Sequence, residues 1–171
     1  MAVIISDSVR DRAGRGFENN LKFRRADTTF FFVDNALADP LTPQILQAVK
    51  AAGKVVVAVY VSPVAGKQVM VDGKLVNSVG LEARSEELLR QILDAANSKT
   101  AVLAFGNPYI LPPTTNAQTF LCTFSNVSTA ELSAVKVLFG EIQPHGRLPV
   151  TLPGIAQRGF SLDKKAARKQ Q

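Results

Sequence analysis

The chain has 171 residues, 46% of them hydrophobic and 20% charged, with a net charge of +6. That is enough apolar material to bury one full core, and no apolar stretch reaches the ~20 residues of a membrane span. The excess positive charge sits in the tail: Arg158 to Gln171 holds five basic residues and one acid, which leaves the body near +2. A basic end without interleaved aromatics reads as solvated chain rather than a nucleic-acid surface.

The N-terminal run Ala2 to Ile5 (AVII) is short and followed by mixed charges, so it reads as an opening strand rather than a leader peptide. Four similar runs follow: Thr28 to Val33 (TTFFFV), Val55 to Val61 (VVVAVYV), Ala101 to Phe105 (AVLAF) and Phe120 to Phe124 (FLCTF). None alternates apolar with polar residues, which is the pattern of strands covered on both faces, as in a parallel sheet between helices.

Four helical patterns lie among them. Arg15 to Ala26 puts Phe17, Leu21 and, less perfectly, Phe23 on one side. The second starts at Pro40 and Pro43 with Asp39 and Thr42 as competing caps, carries Leu41, Ile45, Ala48, Val49 and Ala52, and stops at Gly53. The third is capped by Ser85 and repeats Leu88, Leu89, Ile92, Leu93 and Ala96. The fourth begins with a capping box, Ser128 to Glu131, buries Leu132, Val135, Leu138 and Phe139, and ends at Gly140.

This alternation predicts an α/β fold: a three-layer α/β/α sandwich with a mostly parallel sheet of about five to six strands. Residues 1–160 form the domain and 161–171 a basic flexible tail. Two loops interrupt the rhythm. Ser62 to Gly80 holds a small hairpin around Asp72-Gly73, and Gly106 to Thr119 carries three prolines. Both leave the C-terminal ends of strands, where open α/β sheets place ligands.

Chemistry is scarce. Gly14-Arg15-Gly16 lacks the third glycine and the tight strand-to-helix turn of a dinucleotide fingerprint, so the pair reads as turn glycines. Gly66-Lys67 is followed by Gln68, which excludes a P-loop. His145 is the only histidine and lies in a turn, and Cys122 is the only cysteine, placed as a buried, inert thiol. Together they cannot build a nitrogen–sulfur zinc site. No G-x-S-x-G surrounds any serine. Asp7 and Asp34 read as turn and cap residues, Glu82, Glu86 and Glu87 as acids at a helix start, and the sequon Asn126-Val127-Ser128 as a helix cap. No catalytic residue, metal ligand or cofactor cradle emerges, and none is assigned.

From Val55 onward the chain resembles the C-terminal α/β-sandwich domain of glycoside hydrolase family 3, most nearly its β-N-acetylglucosaminidase branch. The resemblance rests on Val55 to Lys67, on Ser85 to Leu111 with its FGNPY turn, on the FLCTFSN strand exit, and on Phe139 to Gly154 (FGEIQPHGRLPVTLPG). The first fifty residues fit only in order of elements. In that family a separate N-terminal (β/α)8 barrel of ~250 residues, absent from this sequence, holds the nucleophile. β-Glucosidase relatives draw an acid/base glutamate from an E-G-x-D-R-like segment of the C-terminal domain. Here that stretch is Val79-Gly80-Leu81-Glu82-Ala83-Arg84.

The resemblance implies retaining hydrolysis of terminal β-linked N-acetylglucosamine by carboxylates that this chain lacks, with the barrel as partner and carbohydrate at the domain interface. Lys67, Asn107 and Tyr109 are the candidates to border the sugar cleft. A family 3 β-glucosidase domain and an independent flavodoxin-like small-molecule binder are the alternatives.

Overall fold

The computed structural model describes residues 1–61, 68–71, 74–110 and 117–162. Five parallel strands form the main sheet: β1 (Ala2–Ser6), β2 (Phe30–Val33), β3 (Val55–Tyr60), β6 (Thr100–Phe105) and β7 (Phe120–Cys122), in the order β2-β1-β3-β6-β7. Register is continuous across the layer, with Ile5 opposite both Val33 and Val59, Val57 opposite Val102, and Leu103 opposite Leu121. Strands β4 (Gln68–Val71) and β5 (Lys74–Asn77) pair antiparallel as the hairpin read from the sequence; its turn, Asp72-Gly73, lies outside the described residues.

Helices cover both faces because successive strand residues point to opposite sides. Val3 and Ile5 of β1 pack with Ile45 and Val49 of α2 (Asn35–Ala51) and with Leu88, Leu89, Ile92 and Leu93 of α3 (Ala83–Ala96). Ala2 and Ile4 pack instead with Phe17 and Leu21 of α1 (Arg15–Arg24) and with Ala134 and Val135 of α4 (Ser128–Leu138). This is the three-layer sandwich the sequence pattern predicts.

Several boundaries differ from that pattern, each for a local reason. Helix α2 starts at Asn35 rather than near Pro40, because the Asp34 carboxylate accepts from the Ala36 and Leu37 amides and caps it. Pro40 and Pro43 lie inside the helix, and Asp39 and Thr42 are not its caps. Helix α3 is preceded by Glu82, and Ser85, expected as its cap, is inside the helix and buried. The Ser128–Glu131 capping box does not form: Val127 holds the cap position with no side-chain bond, and Glu131 turns into the core.

Phe23, placed on the buried side of α1, is 89% exposed. Strand β2 is at a sheet edge, so Phe30, Phe31 and Phe32 are only partly buried rather than covered on both faces. The Arg15 guanidinium lies 3.6 Å over the Phe32 ring and the Lys22 ammonium 5.1 Å over that of Phe30, covering what the missing neighbour strand leaves open. Cys122, on the opposite edge strand, is likewise half-buried rather than sealed.

After α4 the chain closes on itself. Leu148 and Phe160 are joined by a backbone bond, Leu152 bridges to Ala156, and Leu152 is tucked inside. The tail expected from residue 161 lies outside the described residues from 163 onward. No described helix is long and apolar enough to cross a membrane.

Candidate functional site

The strand order places a topological switch between β1 and β3. The chain leaves β1 for β2 on one side, then returns past β1 to β3 and continues outward to β6 and β7. Connections that diverge in this way open a crevice at the C-terminal strand ends. A cleft of about 310 Å³ occupies that place, lined by Ser6, Asp7, Arg12, Tyr60, Asn126 and Glu131 among others.

Its floor is fixed by aromatic packing. The Tyr60 ring stacks on Phe105, with centroids 4.5 Å apart and an interplanar angle of 8°, and Phe17 meets Phe105 edge-on at 5.6 Å. The buried Tyr60 hydroxyl donates to Glu131 Oε1 at 2.8 Å. Burial, then the Glu131 bond, push the Tyr60 phenol far above its usual pKa, so it is a standing donor. Glu131 is 6% exposed.

Glycines let helix α1 approach this pair. A Cβ on Gly14 would come 2.7 Å from Ile4 Cγ2, and its φ of 77° is one that side chains rarely adopt. A Cβ on Gly16 would fall 2.1 Å from Glu131 Oε2. The glycine pair is thus a close-approach device, and a carboxylate of the chain's own lies against the first turn of α1, where a phosphate-binding fold would hold its anion.

The entrance is ordered by the turn at Val9–Asp11. Ser8 Oγ accepts from the Arg10 amide, and Asp34 Oδ2 accepts from the Val9 amide at 3.2 Å, tying the turn to the start of α2. Asp34 is therefore a cap with a second task, while Asp7 lines the cleft. Arg15 is committed to Glu18 at 2.8 Å and to the Phe32 ring. Burial pushes the Glu18 carboxyl up, but bonds from Lys22 and Arg15 outweigh it and hold the group below its usual range.

Two of the candidates read from the sequence, Asn107 and Tyr109, lie on a loop farther along the same edge. Asn107 is buried; its Nδ2 donates to the Val79 carbonyl and its Oδ1 accepts from the Tyr109 amide at 2.9 Å. Both ends of the amide are thus used to hold the loop that presents Tyr109, whose ring is 41% exposed. Lys67 lies outside the described residues. His145 is exposed, and no group of three or more His, Cys, Asp or Glu is placed to hold a metal ion among the described residues.

Tyr60, Glu131 and Asn126 were not singled out as site residues from the sequence. One signal was available: Glu131, Ala134, Val135 and Leu138 recur at i, i+3, i+4 and i+7, which puts the acid on the apolar stripe of α4.

Comparison with known proteins bears on the family and the fold. The family model of the glycosyl hydrolase family 3 C-terminal domain matches residues 2–170. A solved structure described as a fungal multi-domain family 3 β-N-acetylglucosaminidase with a GCN5-related glucosamine N-acetyltransferase region superposes with a TM-score of 0.66 at 18% identity. That match covers 94% of this chain but 16% of the fungal one. A β-glucosidase from Kluyveromyces marxianus in complex with glucose superposes with a TM-score of 0.49, also at 18% identity, covering 68% of this chain and 14% of its own. No curated protein sequence matches the chain.

Proposed function

This chain belongs to the C-terminal domain family of the family 3 glycosyl hydrolases, and we propose that it is the noncatalytic partner of a (β/α)8 barrel, docked by the C-terminal edge of its sheet and bordering the sugar site there. One observation carries the reading. The loops leaving that edge expose Val79 at 45%, Tyr109 at 41%, Phe124 at 38% and Val127 at 55%. They are four of the eleven large hydrophobics exposed among the described residues; exposed apolar side chains suit a contact surface, and the polar cleft opens on the same edge.

The reaction of the whole enzyme, in this reading, is retaining removal of a terminal β-linked N-acetylglucosamine, with the attacking carboxylate and the acid/base on the barrel. The acetylglucosaminidase branch is favoured over the β-glucosidase branch by Val79 to Arg84. Glu82 there is the residue before α3 in a segment that departs from E-G-x-D-R. The flavodoxin-like alternative is disfavoured by Glu131, whose carboxylate would face the phosphate of a nucleotide or flavin across the first turn of α1.

Within this account Tyr109 touches sugar, Asn107 positions its loop, and Lys67 is proposed as a further contact from the sequence alone. The test uses the polypeptide that carries both domains. Tyr109→Ala raises KM several-fold with kcat little changed, the signature of lost ground-state binding. Unchanged kinetics in Lys67→Ala, Asn107→Ala and Tyr109→Ala together would remove the domain from the sugar site.

A further inference from the structure

We infer that the switch-point cleft is itself a saccharide subsite, one that takes an uncharged polyhydroxyl ring and rejects phosphate, with Glu131 as the acceptor for sugar hydroxyls. The inference rests on the proposed glycosidase role and names a site within this chain for it.

Glu131 is 6% exposed and lines the cavity. Its Oε1 receives the Tyr60 hydroxyl. A carboxyl group has more acceptor positions than one phenol donor fills, which leaves capacity for ligand hydroxyls. The carboxyl is held through Tyr60, which is clamped on Phe105, and it lies so near Gly16 that a Cβ there would fall 2.1 Å from Oε2. A preorganised acceptor of this kind does not have to be ordered when ligand arrives.

Hydrogen-bonding polarity selects the ligand class. The Glu131 carboxyl oxygens already lie against the first turn of α1, so an anion entering there meets acceptor oxygens where it needs donors. Arg15, the cation nearest that turn in sequence, is engaged by Glu18 and the Phe32 ring. At the exposed rim, the Arg12 guanidinium supplies donors and the Asn126 amide supplies both donor and acceptor. Acceptors inside and donors outside match vicinal hydroxyls, each of which gives one hydrogen bond and takes others.

The experiment titrates the chain with N,N′-diacetylchitobiose, cellobiose and inorganic phosphate while following backbone amide resonances. At least one disaccharide perturbs the amides of Arg12, Gly16 and Asn126, and phosphate does not; which disaccharide acts identifies the source of the ring. Glu131→Gln lowers the disaccharide affinity about tenfold and lets phosphate perturb the Gly16 amide, a gain that a merely structural role would not produce. Arg12→Ala, at an exposed rim position, weakens disaccharide binding without loss of folding, and so tests the site even if Glu131→Gln unfolds. The inference is overturned if neither disaccharide perturbs these amides, or if wild-type chain binds phosphate there as well as sugar. Absence of disaccharide binding alongside a raised KM in Tyr109→Ala sinks this subsite alone; binding alongside unchanged kinetics sinks the interface role alone.

Discussion

Replacing Gly16 with alanine tests the packing of the cleft at a single atom. The added Cβ would stand 2.1 Å from Glu131 Oε2 and 3.3 Å from Cδ. The carboxylate is the end of a flexible side chain, so it can move, but only by giving up the 2.8 Å bond from the buried Tyr60 hydroxyl. A hydrogen bond to a charged group contributes about 1.5–3 kcal/mol, and alanine returns roughly 0.5–1 kcal/mol of helix stability over glycine. The net loss is about 1–2 kcal/mol, which for a domain of this size lowers Tm by roughly 2–8 °C. Urea or thermal unfolding of the purified chain measures it. Gly53→Ala is the control: a Cβ there meets nothing within 4 Å, and stability stays level or rises. The sharper assay is a double-mutant cycle. In a Glu131→Ala background the obstruction is gone, and Gly16→Ala becomes neutral or stabilising. Equal stability of Gly16→Ala and wild type with Glu131 present would refute the packing argument.

Three further outcomes follow from the same structure. Asp34→Ala removes the cap of α2 and the anchor for the Val9 amide; it costs about 1–2 kcal/mol of unfolding free energy, read as a lowered urea midpoint. Tyr60 has a folded pKa raised above its ordinary value of about 10. The stability it contributes is therefore complete below that pH and declines as pH rises through it, when the unfolded chain begins to lose its proton. Unfolding curves at neutral and alkaline pH thus show the gap between wild type and Tyr60→Phe narrowing above about pH 10. The Cys122 thiol is pushed up by burial, from 9.0 to about 11. A shift of two pKa units leaves about a hundredth of the thiolate at neutral pH, so a disulfide reagent modifies the native chain about 100-fold more slowly than the urea-unfolded one.

The sandwich was legible in the sequence because burial on both faces leaves a local trace. Val55 to Val61 and Ala101 to Phe105 are continuous apolar runs, and they became the central strands. The edge strand β2 has the same kind of run, yet its phenylalanines are partly open, since position in the sheet depends on strand order and not on local sequence. Helix starts misled wherever two residues could cap: Asp34 prevailed over Asp39 because it directly follows a strand and its carboxylate meets two free amides.

The cleft was hidden for a different reason. Tyr60 and Glu131 are 71 residues apart and meet only once β3 and α4 are packed on the same side. The Ser128-to-Glu131 spacing satisfies a local capping rule, and tertiary burial of Glu131 overrode it. Asn107 gave no local sign that both ends of its amide would be spent on holding a loop.

The central claim, that this domain supports a glycosidase without breaking bonds itself, meets its most direct test in turnover by the purified chain. Incubated at high concentration with chromogenic N-acetyl-β-glucosaminide and β-glucoside, it should release no chromophore above the uncatalysed rate. Sustained release that scales with the amount of chain and survives repurification would contradict the account.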